Sequence, residues 1–154
     1  MDDVDRLLVE ALRRNARASY AELAREVGLS APSVHERVNK LEASGVLRGY
    51  HAAVASDALG YAITALIGVF LTDAGDVDAV HGALDDVPEI EDCWFVAGEE
   101  SFIVKVRVPD VAGLERLIGT LTRIPGVART RSTVVLSTKF EGRVPALRRP
   151  TSSY

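Results

Sequence analysis

AELAREVGLSAPSVHERVNKLEASGVLRGYHAAV, residues 21–54, holds two apolar helical periods interrupted by one glycine. Tyr20, Leu23, Ala24 and Val27 recur at helical spacing, and Ser19 with Glu22 three residues later makes a capping box at the entry. Gly28 suits the left-handed residue that ends such a helix. Ser30 then stands where an N-cap belongs. Pro32 falls in the first turn, where its missing N–H is harmless, and Val34, Val38 and Leu41 mark the buried face of the next helix. Gly45 closes that helix, and residues 46–54 read as a short strand with Arg48 in it.

One helix precedes this pair. Val4, Leu7, Leu8, Ala11 and Leu12 share one face, and Asp2 or Asp3 can cap its first turn. Two helices joined by a tight glycine turn describe a helix-turn-helix, whose second helix enters the DNA major groove in its nucleic-acid-binding form. The outward residues of that helix are Ser33, His35, Glu36, Arg37 and Lys40. Serine and histidine exchange hydrogen bonds with base edges, and arginine takes guanine or a phosphate with two parallel bonds. Lys40 is better placed for phosphate, and Arg17 and Ser19, just before the first helix of the pair, stand where that helix's N-terminus would meet the DNA backbone. A plain helical hairpin with a solvated polar face accounts for the same spacing.

The remainder repeats itself at a shift of 37 residues without a gap. Asp73 falls on Asp110, Val77 on Leu114, Val80 on Leu117, Gly82 on Gly119, Leu84 on Leu121 and Pro88 on Pro125. Each copy reads strand, helix, proline turn, strand, with strands near 63–72, 89–97, 101–109 and 128–139. Two fused βαβ units give the ferredoxin-like βαββαβ arrangement, and right-handed crossovers put both helices on one sheet face. The first strand, ITALIGVFL, is apolar on both sides, as in strands covered on both faces. The natural cover for the open face is a second copy of the chain. The third strand tempers this: Phe102, Val104, Val106 and Val108 alternate with Ile103, Lys105 and Arg107.

These residues resemble the Lrp/AsnC (feast/famine) family. LA-x-x-V-G-L-S is followed by V-x-x-R-V at Val34 to Val38 and L-x-x-x-G-V at Leu41 to Val46. Downstream, Gly98 follows the second strand, and I-P-G-V spans Ile124 to Val127. The resemblance covers residues 3–140. It implies an α+β chain: a winged helix-turn-helix (1–52), a linker (53–62), a ferredoxin-like RAM-type effector and dimerisation module (63–140) and a tail (141–154). It also implies a transcription regulator that binds double-stranded DNA, dimerises, assembles into tetramers or octamers, and responds to an amino acid near the loop between the second and third strands. That loop is Ala97-Gly98-Glu99-Glu100-Ser101. Many members carry aspartate where this chain has Ser101, so Glu99 or Glu100 is the candidate acceptor for a ligand ammonium group. A simple hairpin turn around a left-handed Gly98, with solvated acids, is the competing account.

Charge supports the division. The whole chain sums to −4, which by itself gives no hint of DNA. Residues 12–52 sum to +3, residues 73–100 to −10 and residues 101–154 to +7. Arg143, Arg148 and Arg149 in the tail could touch DNA or balance the acidic stretch. The single cysteine, Cys93, excludes an internal disulfide framework and reads as a small core residue in a strand. His35, His51 and His81 lie on three elements without metal-ligand spacing, so neither metal nor other cofactor is expected. No P-loop or G-x-S-x-G appears, and no spacing of nucleophile, acid and base suggests an enzyme. The acidic start, MDDVDRLL, lacks the basic region of a signal peptide, and no apolar run approaches a membrane span. The expected location is the cytoplasm. The rival readings are an architectural DNA-binding protein of weak sequence preference, and a small-molecule-binding ferredoxin-like protein without a DNA function.

Overall fold

The computed structural model describes residues 1–143. The chain divides into two compact units, the first built on Met1–Ala53 and the second on Val54–Glu141. Arg148 and Arg149 of the basic tail lie outside the described residues.

The first unit has three helices: α1 (Asp3–Arg14), α2 (Tyr20–Val27) and α3 (Ala31–Ala43). Each start is capped. Asp2, rather than Asp3, caps α1: its carboxylate accepts from Asp5 N–H at 2.8 Å, and Asp5 returns the bond to Asp2 N–H at 3.0 Å. Ser19 and Glu22 make the same reciprocal pair on α2, at 3.2 and 2.7 Å. Ser30 caps α3 through Ser33 N–H. Such caps satisfy backbone donors that a helix leaves unpaired, each worth about 1 kcal/mol. Gly28 ends α2 at φ 71°, a left-handed conformation that side chains with a Cβ resist. Leu8, Leu12, Leu23, Val34, Val38 and Leu41 close the core between the helices.

The strand expected at 46–54 is not formed. Val46 and Leu47 N–H both donate to Leu41 C=O at 3.0 Å, turning the chain back on the end of α3, and no strand follows until residue 63. The rest of this unit is helical, so an extended segment here has no neighbour with which to exchange backbone hydrogen bonds. Arg48 therefore stands on an irregular segment. Residues 53–62, read as a linker, contain a short 3-10 turn at Asp57–Leu59.

The second unit is a four-stranded sheet with two helices: β1 (Ile63–Leu71), α4 (Val77–Asp85), β2 (Ile90–Phe95), β3 (Phe102–Val108), α5 (Val111–Thr122) and β4 (Val127–Val134). The order is β2-β3-β1-β4 with every neighbouring pair antiparallel, the ferredoxin-like arrangement. Ala65, Ile67, Val69, Val104 and Val106 meet Val80, Leu84, Leu114, Leu117 and Leu121 in one core, so both helices pack on the same sheet face.

β4 stops at Val134, short of the expected 139. Its partner β1 begins at Ile63, Val134 already pairs with Ala65, and Val135 N–H donates to Thr64 C=O as the last contact. The repeat also slips at its helix starts. Asp110 caps α5 through Gly113 N–H, whereas the matching Asp73 caps nothing and Asp76 caps α4. The first copy has a longer strand-to-helix loop and a shorter helix. Cys93 is exposed rather than buried, because β2 is an edge strand. Partial loss of solvent around its sulfur still raises the thiol above the ordinary range, with the Asp85 carboxylate adding to the effect.

Candidate nucleic-acid interface and effector loop

Val34, Val38 and Leu41 turn one side of α3 into the core, so its opposite side faces solvent. Ser33, His35, Glu36, Asn39 and Lys40 are all exposed there. Arg37 lies on the flank instead, where its Nη1 donates to Asp2 Oδ2 and Asp5 Oδ1 at 2.7 Å each. Those two hydrogen bonds raise the Arg37 pKa further, and the Asp5 amide together with Arg37 holds the Asp2 carboxyl below its usual range. Arg37 thus ties α3 to the start of α1. Its Nη2 is not part of that contact.

Lys40 Nζ meets Glu36 Oε1 at 2.8 Å, one turn apart on an exposed face, and this hydrogen bond lowers the Glu36 carboxyl. Arg14 pairs with Glu26, and Arg13 with Glu10 at 3.1 Å. Arg17 and Arg48 are exposed, and their side chains meet no partner among the described residues. Residues 1–53 carry eight acids and eight Lys or Arg. The local excess of +3 arises only when the acids of α1 and its cap are left outside the window, and two of those acids, Asp2 and Asp5, hold Arg37.

The other candidates divide by function. Ser19 Oγ and Ser30 Oγ are occupied by their caps, with Ser30 Oγ also 2.9 Å from Ser33 Oγ. His35 packs its ring on Tyr20, centroids 4.8 Å apart, and its Nε2 lies 3.4 Å from Asn39 Nδ2. Tyr50 O–H donates to Glu42 Oε1 at 2.8 Å, and burial with that carboxylate pushes the phenol up to about 12. Asn39 and Tyr20 were not among the sequence candidates. An exposed asparagine in mid-helix, at 3.6-residue spacing from Pro32 and Glu36, is the signal that could have found Asn39.

In the second unit, Ser101 N–H donates to Val69 C=O at 2.9 Å, and Val96 N–H to Ser101 C=O at 3.0 Å, which pins the 97–101 loop across the end of β1. Ala97, Gly98 and Glu99 are exposed, while Glu100 and Ser101 are half-buried. Gly98 does not adopt a positive φ, so the left-handed glycine hairpin is ruled out. Glu100 folds back over β1 and pairs with Arg131 of β4, with Glu99 3.9 Å from the same guanidinium. Gly68 makes room for it: a Cβ there would lie 2.6 Å from Glu100 Cγ. Next to it, the Arg129 guanidinium sits 3.5 Å above the Phe70 ring, a cation–π contact that covers an apolar residue on the sheet's open face. Of the two glutamates, Glu100 is therefore already neutralised and Glu99 stays in solvent. Arg131 and Gly68 lay outside the sequence candidates because their role depends on the β1–β4 register, which pairs them directly.

Elsewhere on the open face, Lys105 and Arg107 form a network with Glu91 and Glu141. Lys105 meets Glu91 at 2.7 Å and also pairs with Glu141; Arg107 meets them at 2.8 and 2.7 Å. The polar face of β3 is thus charge-balanced within the unit. Among the described residues there is no cluster of three potential metal ligands, and no helix is long and apolar enough to cross a membrane.

Residues 1–42 match the AsnC-type helix-turn-helix domain, and residues 64–145 match the Lrp/AsnC ligand binding domain. The chain is 38% identical over 143 residues to the HTH-type transcriptional regulator LrpA of Mycobacterium tuberculosis, covering 93% of this chain and 95% of that protein. It is 32% identical over 137 residues to the regulatory protein AsnC of Escherichia coli, covering 88% and 90%. Among solved structures, a feast or famine regulatory protein from M. tuberculosis complexed with L-methionine superposes with a TM-score of 0.90 at 38% identity, covering 95% of this chain and 99% of that one.

Proposed function

We propose, from the premise that this chain belongs to the Lrp/AsnC family of transcription regulators, that it reads DNA with residues 1–52 and senses an amino acid with residues 63–140. Residues 53–62 join the two. The observation that carries the reading is the outward side of α3. It is polar and exposed, and it belongs to a helix whose position is set from below by Val34, Val38 and Leu41. Arg17, Lys40 and Arg48 hold phosphates, Ser33 and Glu36 face the bases, and His35 supports the base-reading side from its place against Tyr20. Ser19 and Ser30 act through their caps, and Arg37 through its tie to α1. The even balance of acids and bases in residues 1–53 disfavours an architectural protein, whose binding rests on net positive charge.

Two copies associate through the open sheet face. Leu66 and Trp94, 39% and 47% exposed, supply its apolar contacts. Such a dimer presents two α3 helices to successive major grooves, and dimers assemble further into tetramers or octamers. The effector site is the 97–101 loop with Arg131. Ala97 and Gly98 leave the backbone accessible. An amino acid carries both charges of the Glu100–Arg131 pair, so its ammonium and carboxylate can replace each partner for the other, with Glu99 beside them. The related M. tuberculosis protein bound to L-methionine supports this ligand class. The ligand acts by binding the assembled states unequally. The reading assigns no catalytic step and places the protein with the chromosome, in the cytoplasm.

A thermal-shift panel of the common amino acids tests the sensing half. A ligand at 100 times its Kd adds about 2.7 kcal/mol per site. Stabilisation by one or a few amino acids, abolished by Arg131→Ala, is expected. No shift with any of them overturns the amino-acid assignment.

A further inference from the structure

We infer that Asn39 is a base-reading residue of α3 and that it recognises an adenine in the major groove. The inference rests on the reading of residues 1–52 as a DNA-binding unit. Three observations lead to it. Asn39 is exposed on the side of α3 opposite Val34, Val38 and Leu41, in the same outward row as Pro32 and Glu36. The longer side chains around it are already engaged, Arg37 by Asp2 and Asp5 and Lys40 by Glu36. The Asn39 amide is also oriented. Its Nδ2 lies 3.4 Å from His35 Nε2, and the His35 ring is itself held against Tyr20.

With His35 Nε2 as acceptor, one amide hydrogen of Asn39 is used inside the protein. The carbonyl Oδ1 and the second amide hydrogen, adjacent on the amide, meet no partner among the described residues. Adenine alone among the bases offers the matching pair in the major groove: N6–H donates to Oδ1 and N7 accepts from Nδ2. Guanine presents two acceptors there and would leave Oδ1 facing O6 or N7. His35 is then a positioning residue that fixes which edge of the amide points away from the helix.

The test is selection from a randomised duplex pool with the full chain, followed by repetition with Asn39→Ala, His35→Ala, His35→Gln and Lys40→Ala. The wild type is expected to enrich a half-site containing an adenine whose preference Asn39→Ala removes, at a cost of about 5- to 150-fold in discrimination at that position alone. His35→Ala should weaken the preference at the same base pair and no other, and His35→Gln, which keeps an acceptor, should restore much of it. Lys40→Ala should weaken all sequences alike. Asn39→Ala that weakens every sequence equally, leaves the half-site unchanged, or alters a position that is not adenine overturns the assignment. A wild-type chain that binds duplex DNA but enriches no sequence refutes the sequence-specific reading itself, and this assignment with it. Circular dichroism of each variant separates loss of recognition from loss of fold, and because Asn39 is exposed the folded signal is expected to be retained.

Discussion

Arg37 and Lys40 are both cations of the recognition helix, and the structure predicts opposite behaviour for them in salt. Each phosphate contact adds about 0.9 to the log–log dependence of affinity on salt. Between 50 and 200 mM, one contact therefore changes affinity by about 3.5-fold. Arg17, Lys40 and Arg48 supply three contacts per unit, or six per dimer. The wild type should show a slope of about −5.4 and lose about 1,800-fold across that window. Lys40→Ala, Arg17→Ala and Arg48→Ala should each flatten the slope by about two in a dimer. Arg37→Gln should leave it unchanged, because Asp2 and Asp5 already neutralise that guanidinium at 2.7 Å. Glu36→Gln should raise affinity for non-specific duplex by about twofold per half-site, by releasing Lys40 from a pair of the exposed one-turn type. The assay is fluorescence anisotropy of a labelled duplex titrated at five salt concentrations. A slope that flattens with Arg37→Gln and not with Lys40→Ala would refute the division of labour drawn from the ion pairs.

Three further outcomes are expected. Gly28→Ala should destabilise the first unit by about 1–2 kcal/mol, the cost of a left-handed residue with a Cβ; nothing lies within 4 Å of that Cβ, so packing adds nothing, and an unchanged urea midpoint by circular dichroism would contradict this. The Glu91–Glu141–Lys105–Arg107 network should weaken in acid. Burial raises Glu91, but hydrogen bonds from Lys105 and Arg107 outweigh it, and Lys105 leads in lowering Glu141, so both carboxyls sit below their ordinary 4.5. Their stabilisation is then complete above pH 4.5 and lost as pH falls through the lowered values, which Trp94 fluorescence in urea can follow; Glu91→Gln should flatten that acid slope. Gly68→Ala should expel Glu100 from its seat, weaken amino-acid binding by at least about tenfold in calorimetry, and leave DNA affinity without ligand intact.

Much of the architecture was legible because it is local. Ser19, Glu22, Gly28, Ser30 and Pro32 each act within four residues, and the helical periods of α1 to α3 and of α4 and α5 repeat within one or two turns. The 37-residue repeat exposed the second unit through its core positions, since Val80, Leu84, Leu117 and Leu121 occupy equivalent places. What the sequence did not reveal is non-local. A strand at 46–54 has suitable residues but needs a partner, and the unit contains none. Arg37 looked available because Asp2 and Asp5 stand 35 and 32 residues earlier. Glu100 looked like an acceptor because Arg131 is 31 residues away and reaches it only through the β1–β4 register.

The ion pairs of the first unit also bear on how the protein finds its sites. A genome offers on the order of 10⁶–10⁹ competing non-specific sites for every operator, and binding to them is electrostatic. A reader in which Arg13, Arg14 and Arg37 are answered by its own carboxylates is held less tightly by those competitors. It forfeits some affinity at the operator as well, but the base contacts, which salt and charge balance leave largely untouched, then account for a greater share of the binding. Neutrality in the helical unit thus shifts occupancy toward correct sequences at a given number of protein molecules per cell.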